Sequence, residues 1–130
     1  SYASQLGIDR RVRWAGWQLD PQPYYELADL LVCPSHHETL GNVILEAWAH
    51  RRAVLATQTV GAMELATDDS QSWTVPAQDP QALSDGMRRL LLDDSLREAL
   101  AASGRRMVDD HHSQQRIVAA YLEFYRWLVG

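Results

Sequence analysis

The chain contains no lysine; all twelve of its basic residues are arginine. A Walker-type phosphate site needs a lysine, so that class is excluded. Positive charge is scarce overall, with a formal net charge of −5 over 130 residues. That argues against nucleic acid as a partner, because a phosphate backbone needs a basic face. The local cluster Arg10-Arg11-Val12-Arg13 reads as a solvated or strand-end feature. Cysteine is nearly absent as well. Cys33 stands alone, which rules out an internal disulfide. It lies in an apolar run and fits a small core residue in a reducing compartment. No apolar run reaches the roughly 18 residues of a membrane span. The start, "SYASQLGIDRR", lacks the apolar region of a secretory signal. The expected location is the cytoplasm, with peripheral attachment at the inner face of a membrane as a variant.

Hydrophobic residues make up 46% of the chain and charged ones 22%. This fits one compact domain with a real core, or part of a larger one. Residues 12–17, "VRWAGW", alternate apolar and polar and predict a short strand. "DPQPYYELADL" opens a brief helix with proline. "LLVCPS" and "AVLAT" are continuous apolar runs, as in buried parallel strands. "SWTVPA" predicts a further strand. "NVILEAWAH" is a helix with Val43, Ile44, Ala47 and Trp48 on its apolar stripe. Asp79 and Pro80 predict the start of another helix, and Ser95 with Glu98 a capping box for the next. In the closing helix Ile117, Tyr121, Phe124 and Leu128 share a face. Strands alternating with helices predict an α/β fold with a mostly parallel sheet. Ligands bind such sheets beyond the C-terminal strand ends.

One such end is followed by "PSHHETLGNVILEAWAH", residues 34–50. Its three histidines and two glutamates invite a metal reading. His36 and His37 are adjacent and point different ways, and His50 lies at the far helix end, where it suits the helix dipole. No metal-ligand spacing links them. An acid/base pair fares little better. Glu38 and Glu46, if on one continuous helix, would lie roughly 12 Å apart along the axis. That exceeds the separation of about 6.5–9.5 Å used by inverting glycosidases. Gly41 makes a continuous helix a poor assumption, which leaves Glu38 in a loop and Glu46 in the second helical turn. A phosphate cradle fits better: Gly41 permits close backbone approach, and the N–H groups near Asn42, Val43 and Ile44 would attract an anion. On these features alone, a capped helix start without a ligand is still the preferred account.

"E-T-L-G-N-V-I-L-E" resembles the E-x7-E motif in the donor-binding domain of the retaining "group 1" glycosyltransferases. "RVRWAGW", "YYELADLLVCPSHHETLGNVILEAWAH", "AVLATQTVGAMELATDD" and "VPAQDPQALSDGMRRLLLDDSLREALAASGRR" are similar to family blocks in the same order. The resemblance covers nearly the whole chain. It implies a Rossmann-like parallel sheet flanked by helices, with residues 1–130 forming part of the C-terminal domain of a GT-B fold.

By this resemblance, Glu46 binds the ribose hydroxyls of a nucleotide-sugar, and Glu38 contacts the donor sugar as the catalytic carboxylate. Thr39, Leu40, Gly41, Asn42 and Val43 contribute to donor binding, with backbone N–H groups from Leu40 to Val43 on sugar and diphosphate. No metal or other cofactor is implied. The implied reaction transfers a glycosyl group, with retention, to a glycan, lipid or small-molecule acceptor. An inactive nucleotide-sugar-binding or assembly module of the same fold is the alternative. Glu64 is either part of this site or a cap or ion pair at its own helix start.

The sequence departs from the family at several positions. Leu40 stands for an aromatic residue, Arg51-Arg52-Ala53 for Gly-x-Pro, Met63 for a proline and Ser72 for a glycine. An N-terminal acceptor domain is expected as a separate piece, and the isolated chain is expected to be inactive. Two family strands that neighbour "LLVC" are not found in these residues. The edge of "LLVC" is therefore expected to pair with "VRWAGW", or with a second chain in a homodimer. The aromatic closing helix, with Tyr121, Tyr125 and Trp127, packs either on its own core or on the acceptor domain.

Overall fold

The computed structural model of the chain describes residues 2–66 and 70–130. The last three residues of the "AVLATQTVGAMELATDD" block, 67–69, lie outside the described residues. Three parallel strands, β1 (Leu30–Cys33), β2 (Ala53–Thr57) and β3 (Trp73–Val75), run in the order β1-β2-β3 among the described residues. Leu30 lies opposite Ala53 and Cys33 opposite Ala56; Leu55 lies opposite Trp73 and Thr57 opposite Val75. This is the parallel sheet that the apolar runs predict.

Helices cover both faces, which is why "AVLAT" needs no polar alternation. α1 (Tyr2–Gln5) and α2 (Gln22–Leu27) precede the sheet. α3 (Asn42–Ala49) joins β1 to β2, and α4 (Val60–Leu65) lies between β2 and β3. α5 (Pro80–Leu92), α6 (Asp94–Met107) and α7 (Gln114–Val129) complete the chain, with a wide π turn at Val108–His112. Alternate residues of β2 serve alternate faces. Val54 and Ala56 pack with Ile44, Ala47 and Trp48 of α3. Ala53 and Leu55 pack with Val75, Leu90 and Leu100. The predicted α3 stripe holds: Ile44, Ala47 and Trp48 are fully buried and Val43 packs beside them. Trp48 fits because α6 passes it at Gly104, where a Cβ would collide with the indole ring.

The cap of α5 is as expected, with the Asp79 carboxylate accepting from the Ala82 N–H at 2.9 Å. Two expectations are corrected, and two open alternatives are narrowed. Residues 12–17 form no strand, and Trp14 and Trp17 are exposed. Gly16 takes φ 65° and interrupts the extended run, and among the described residues β1 pairs only with β2, so "VRWAGW" does not fill the other β1 edge. The cap of α6 is Asp93, which accepts from Leu96 N–H at 3.0 Å; Ser95 lies inside the helix and donates to Asp93. A carboxylate one residue before the helix outcompetes the hydroxyl. Glu64 sits near the end of α4, and Thr59 caps its start. No residue of α7 is buried, so the closing helix does not pack on its own core. Its shared face stays open, with Tyr121 60% and Phe124 52% exposed.

Candidate functional site

Beyond the C-terminal ends of β1 and β2 lies a cleft of about 360 Å³, lined by His36, His37, Glu38, Thr39, Gln58, Thr59 and Val60. A side-chain lock holds the loop that leads into it. The Thr57 hydroxyl, at the end of β2, donates to the Ser35 carbonyl at 2.5 Å and lies 3.3 Å from that of Cys33. The loop leaving β1 is thereby tied to its neighbouring strand.

The next turn depends on two glycines. Gly41 takes φ 63° and ψ 31° at the N-cap of α3, a left-handed conformation that suits glycine. A Cβ there would also stand 2.8 Å from Leu65 Cδ1. Gly61 brings α4 against the same loop. Its N–H donates to the Glu38 carbonyl at 2.8 Å. A Cβ on Gly61 would stand 2.8 Å from Thr39 C and 2.9 Å from Leu40 N, so only glycine permits this approach.

Glu38 is half-buried in this loop. Its Oε1 accepts from the N–H groups of Thr39, Leu40 and Gly41 at 3.1, 3.4 and 3.3 Å. The carboxylate therefore already serves the amides of Leu40 and Gly41. The amides of Asn42 and Val43, in the first turn of α3, have no intrahelical partner, and no side chain caps that end. They carry the partial positive charge of the helix start. Leu40 is exposed beside them.

Glu46 lies on the exposed side of α3. Its Oε2 accepts from the Tyr25 hydroxyl at 2.7 Å. Burial, and then the bond to Glu46, hold the Tyr25 phenol well above its usual pKa. The Tyr25 ring stacks on His50, with centroids 5.3 Å apart and planes 6° from parallel. His50 itself is the C-cap of α3. His50 is thus apart from His36 and His37, which both line the cleft. Among the described residues no group of three or more His, Cys, Asp or Glu is gathered to hold a metal ion.

The sequence brings Glu38, Thr39, Leu40, Gly41, Asn42 and Val43 into one loop and helix start, and the structure keeps them there. Glu46 faces a separate setting, shared with Tyr25. Tyr25, Thr57 and Gly61 escape sequence reasoning. The Thr-x-Gly pattern at Thr59 and Gly61 signals a helix start with close backbone approach. No spacing rule links Tyr25 to Glu46.

The model of the family "Glycosyl transferases group 1" matches residues 1–93. The chain is 36% identical over 121 residues to the lipopolysaccharide core biosynthesis glycosyltransferase LpsE of Rhizobium meliloti (strain 1021), covering 93% of this chain and 36% of LpsE. It thus spans about a third of that relative's length. In three dimensions it resembles sucrose-phosphate synthase from Thermosynechococcus elongatus, with TM-score 0.90 and 28% identity over 98% of this chain and 32% of that one. It also resembles the C-terminal domain of the group 1 family protein LpcC from Francisella tularensis. There the TM-score is 0.78 and the identity 30%, over 88% of this chain and 60% of that one.

Proposed function

The chain belongs to the group 1 glycosyl transferases, and we propose that it supplies the donor-binding half of such an enzyme. In this reading the whole enzyme moves a glycosyl group from a nucleotide-diphosphate sugar to a glycan, lipid or small-molecule acceptor, with retention. One observation carries the reading. A left-handed glycine, Gly41, opens α3 between two carboxylates held in different ways, Glu38 by backbone amides and Glu46 by a phenol.

Each part has a task suited to its chemistry. The Glu46 carboxylate accepts two hydrogen bonds from the ribose diol. Glu38, fixed by the loop amides, faces the donor sugar; none of its three amide bonds uses Oε2. The N–H groups of Asn42 and Val43 meet the leaving diphosphate, where negative charge develops. Because the helix start is already oriented, that stabilisation needs no reorganisation during reaction. No metal is assigned a role in this reading.

The acceptor would bind a separate N-terminal domain, and the chain alone would not turn over. The exposed aromatic face of α7, with Tyr121, Tyr125 and Trp127, is the surface offered to that domain. The edge of β1 that carries no strand among the described residues offers, in the isolated chain, a site for pairing with a second copy. No described helix is long and apolar enough to cross a membrane, and we place the enzyme in the cytoplasm or peripherally at the inner membrane face.

Calorimetric titration with UDP, GDP and ADP and their sugars tests the reading. One nucleotide should bind weakly, and Glu46→Ala should weaken it further by about tenfold. Binding by none of them would overturn the donor reading.

A further inference from the structure

The E-x7-E motif does not contain the residue that holds its second glutamate. Tyr25 lies 21 positions upstream, on α2, and is itself buried at 8% exposure. Its ring is gripped from the side of α3. His50, four residues after Glu46, stacks flat on it. Next to it, Arg52 Nη2 donates to the Glu26 carbonyl at 3.0 Å, which fastens α2 to the end of α3. The phenol can therefore swing little, and its hydroxyl is aimed at Glu46 Oε2.

Glu46 needs such a hold. It stands on an exposed helix surface, and a free glutamate there samples several rotamers. A carboxylate that must accept from both hydroxyls of a diol works best when its plane is fixed beforehand. The Tyr25 bond occupies one lone pair of Oε2 and leaves Oε1, with the remaining lone pair of Oε2, for a ligand. The buried phenol stays protonated, and so remains a donor, throughout the neutral range.

We propose that Tyr25 is a positioning residue that orients the Glu46 carboxylate, so that preference for a ribose diol over a deoxyribose depends on a group outside the E-x7-E motif. This rests on the reading of Glu46 as the ribose ligand. The simpler alternative makes the Tyr25–Glu46 bond a tether between α2 and α3 that leaves sugar choice untouched.

Titration of the 130-residue chain with UDP, GDP and ADP, each beside its 2′-deoxy counterpart, separates the two. The preferred ribonucleotide should bind about tenfold more tightly than its deoxy form. Tyr25→Phe keeps the ring and the His50 stack. It should weaken the ribonucleotide about fivefold and leave the deoxynucleotide within about twofold. Tyr25→Phe with unchanged preference, where Glu46→Ala abolishes it, overturns the positioning role and leaves the ribose reading standing. No preference in the unsubstituted chain, or a preference that survives Glu46→Ala, overturns the ribose reading and the positioning role with it. A ligand-free measurement guards against misfolded variants. The Tyr25 hydroxyl proton should be visible by NMR in slow exchange, with a cross-peak to Glu46, and should vanish in Glu46→Ala. Exchange as fast as that of exposed tyrosines would overturn the proposal directly.

Discussion

The amide of Gly61 donates to the carbonyl oxygen of Glu38 at 2.8 Å, joining the start of α4 to the loop between the two motif glutamates. The loop that faces the cleft is thus shaped from a helix beyond the motif. Gly61→Ala would gain up to about 1 kcal/mol of helix propensity. It would also press a methyl group on three backbone atoms of residues 39–41, at 2.8–3.0 Å. Backbone cannot rotate away as a side chain can, so the clash wins. We expect a net loss of about 1–3 kcal/mol in urea unfolding. Amide shifts should move in residues 38–42, and nucleotide affinity should fall. Full stability with unmoved amides would contradict the lock.

Gly104→Ala tests the other close approach. Trp48 is fully buried and has nowhere to retreat, and a Cβ at Gly104 meets its ring. The gain in helix propensity is again about 1 kcal/mol. An overpacking cost of about 1–3 kcal/mol or more should exceed it. Chemical denaturation, with tryptophan fluorescence as a second probe, would show the midpoint falling.

Arg51 adopts φ 55°, the left-handed region, just past the end of α3. This is where the family resemblance expects glycine. A side chain costs roughly 1–2 kcal/mol in that region, offset in part by the larger unfolded-state freedom of glycine. Arg51→Gly should therefore stabilise the chain by about 0.5–1 kcal/mol. A lower unfolding midpoint would show that the arginine side chain supplies contacts worth more than the strain.

The absence of lysine removes the commonest group that would otherwise titrate beside a tyrosine in the alkaline range. The Tyr25 phenol is raised in the folded chain by burial and by Glu46. In the unfolded chain it ionises near pH 10. Above that pH the unfolded chain binds fewer protons than the folded one, so stability falls as pH rises. The contribution is fully present below pH 10 and is lost towards the folded pKa. Tyr25→Phe should flatten this alkaline slope. An unchanged slope would mean that the phenol titrates normally.

The sequence was most legible where one local rule decided the outcome. "AVLAT" is a buried strand because both faces are covered, and Asp79-Pro80 begins a helix because capping is local. Glu38 and Glu46 were separable because Gly41 breaks the helix between them. Long-range pairing was not legible. "VRWAGW" has strand-like alternation but no ladder partner among the described residues. The Ser95–Glu98 pattern pointed to one cap for α6, but the carboxylate just before the helix, Asp93, took the amide. The Tyr25–Glu46 bond joins two helices that β1 separates in sequence, and no period or motif records such a contact.

The central claim is that this chain holds a nucleotide-sugar at the start of α3 and at Glu46. Amide chemical-shift mapping with saturating UDP, GDP or ADP tests it most directly. The largest shifts should fall at Asn42 and Val43, with smaller ones through Glu38–Gly41 and around Glu46, and Glu46→Ala should raise the nucleotide concentration they need by about tenfold. Shifts confined to the distant groove between α5 and α6, around Arg88 and Ser95, or absent with every nucleotide, would contradict it.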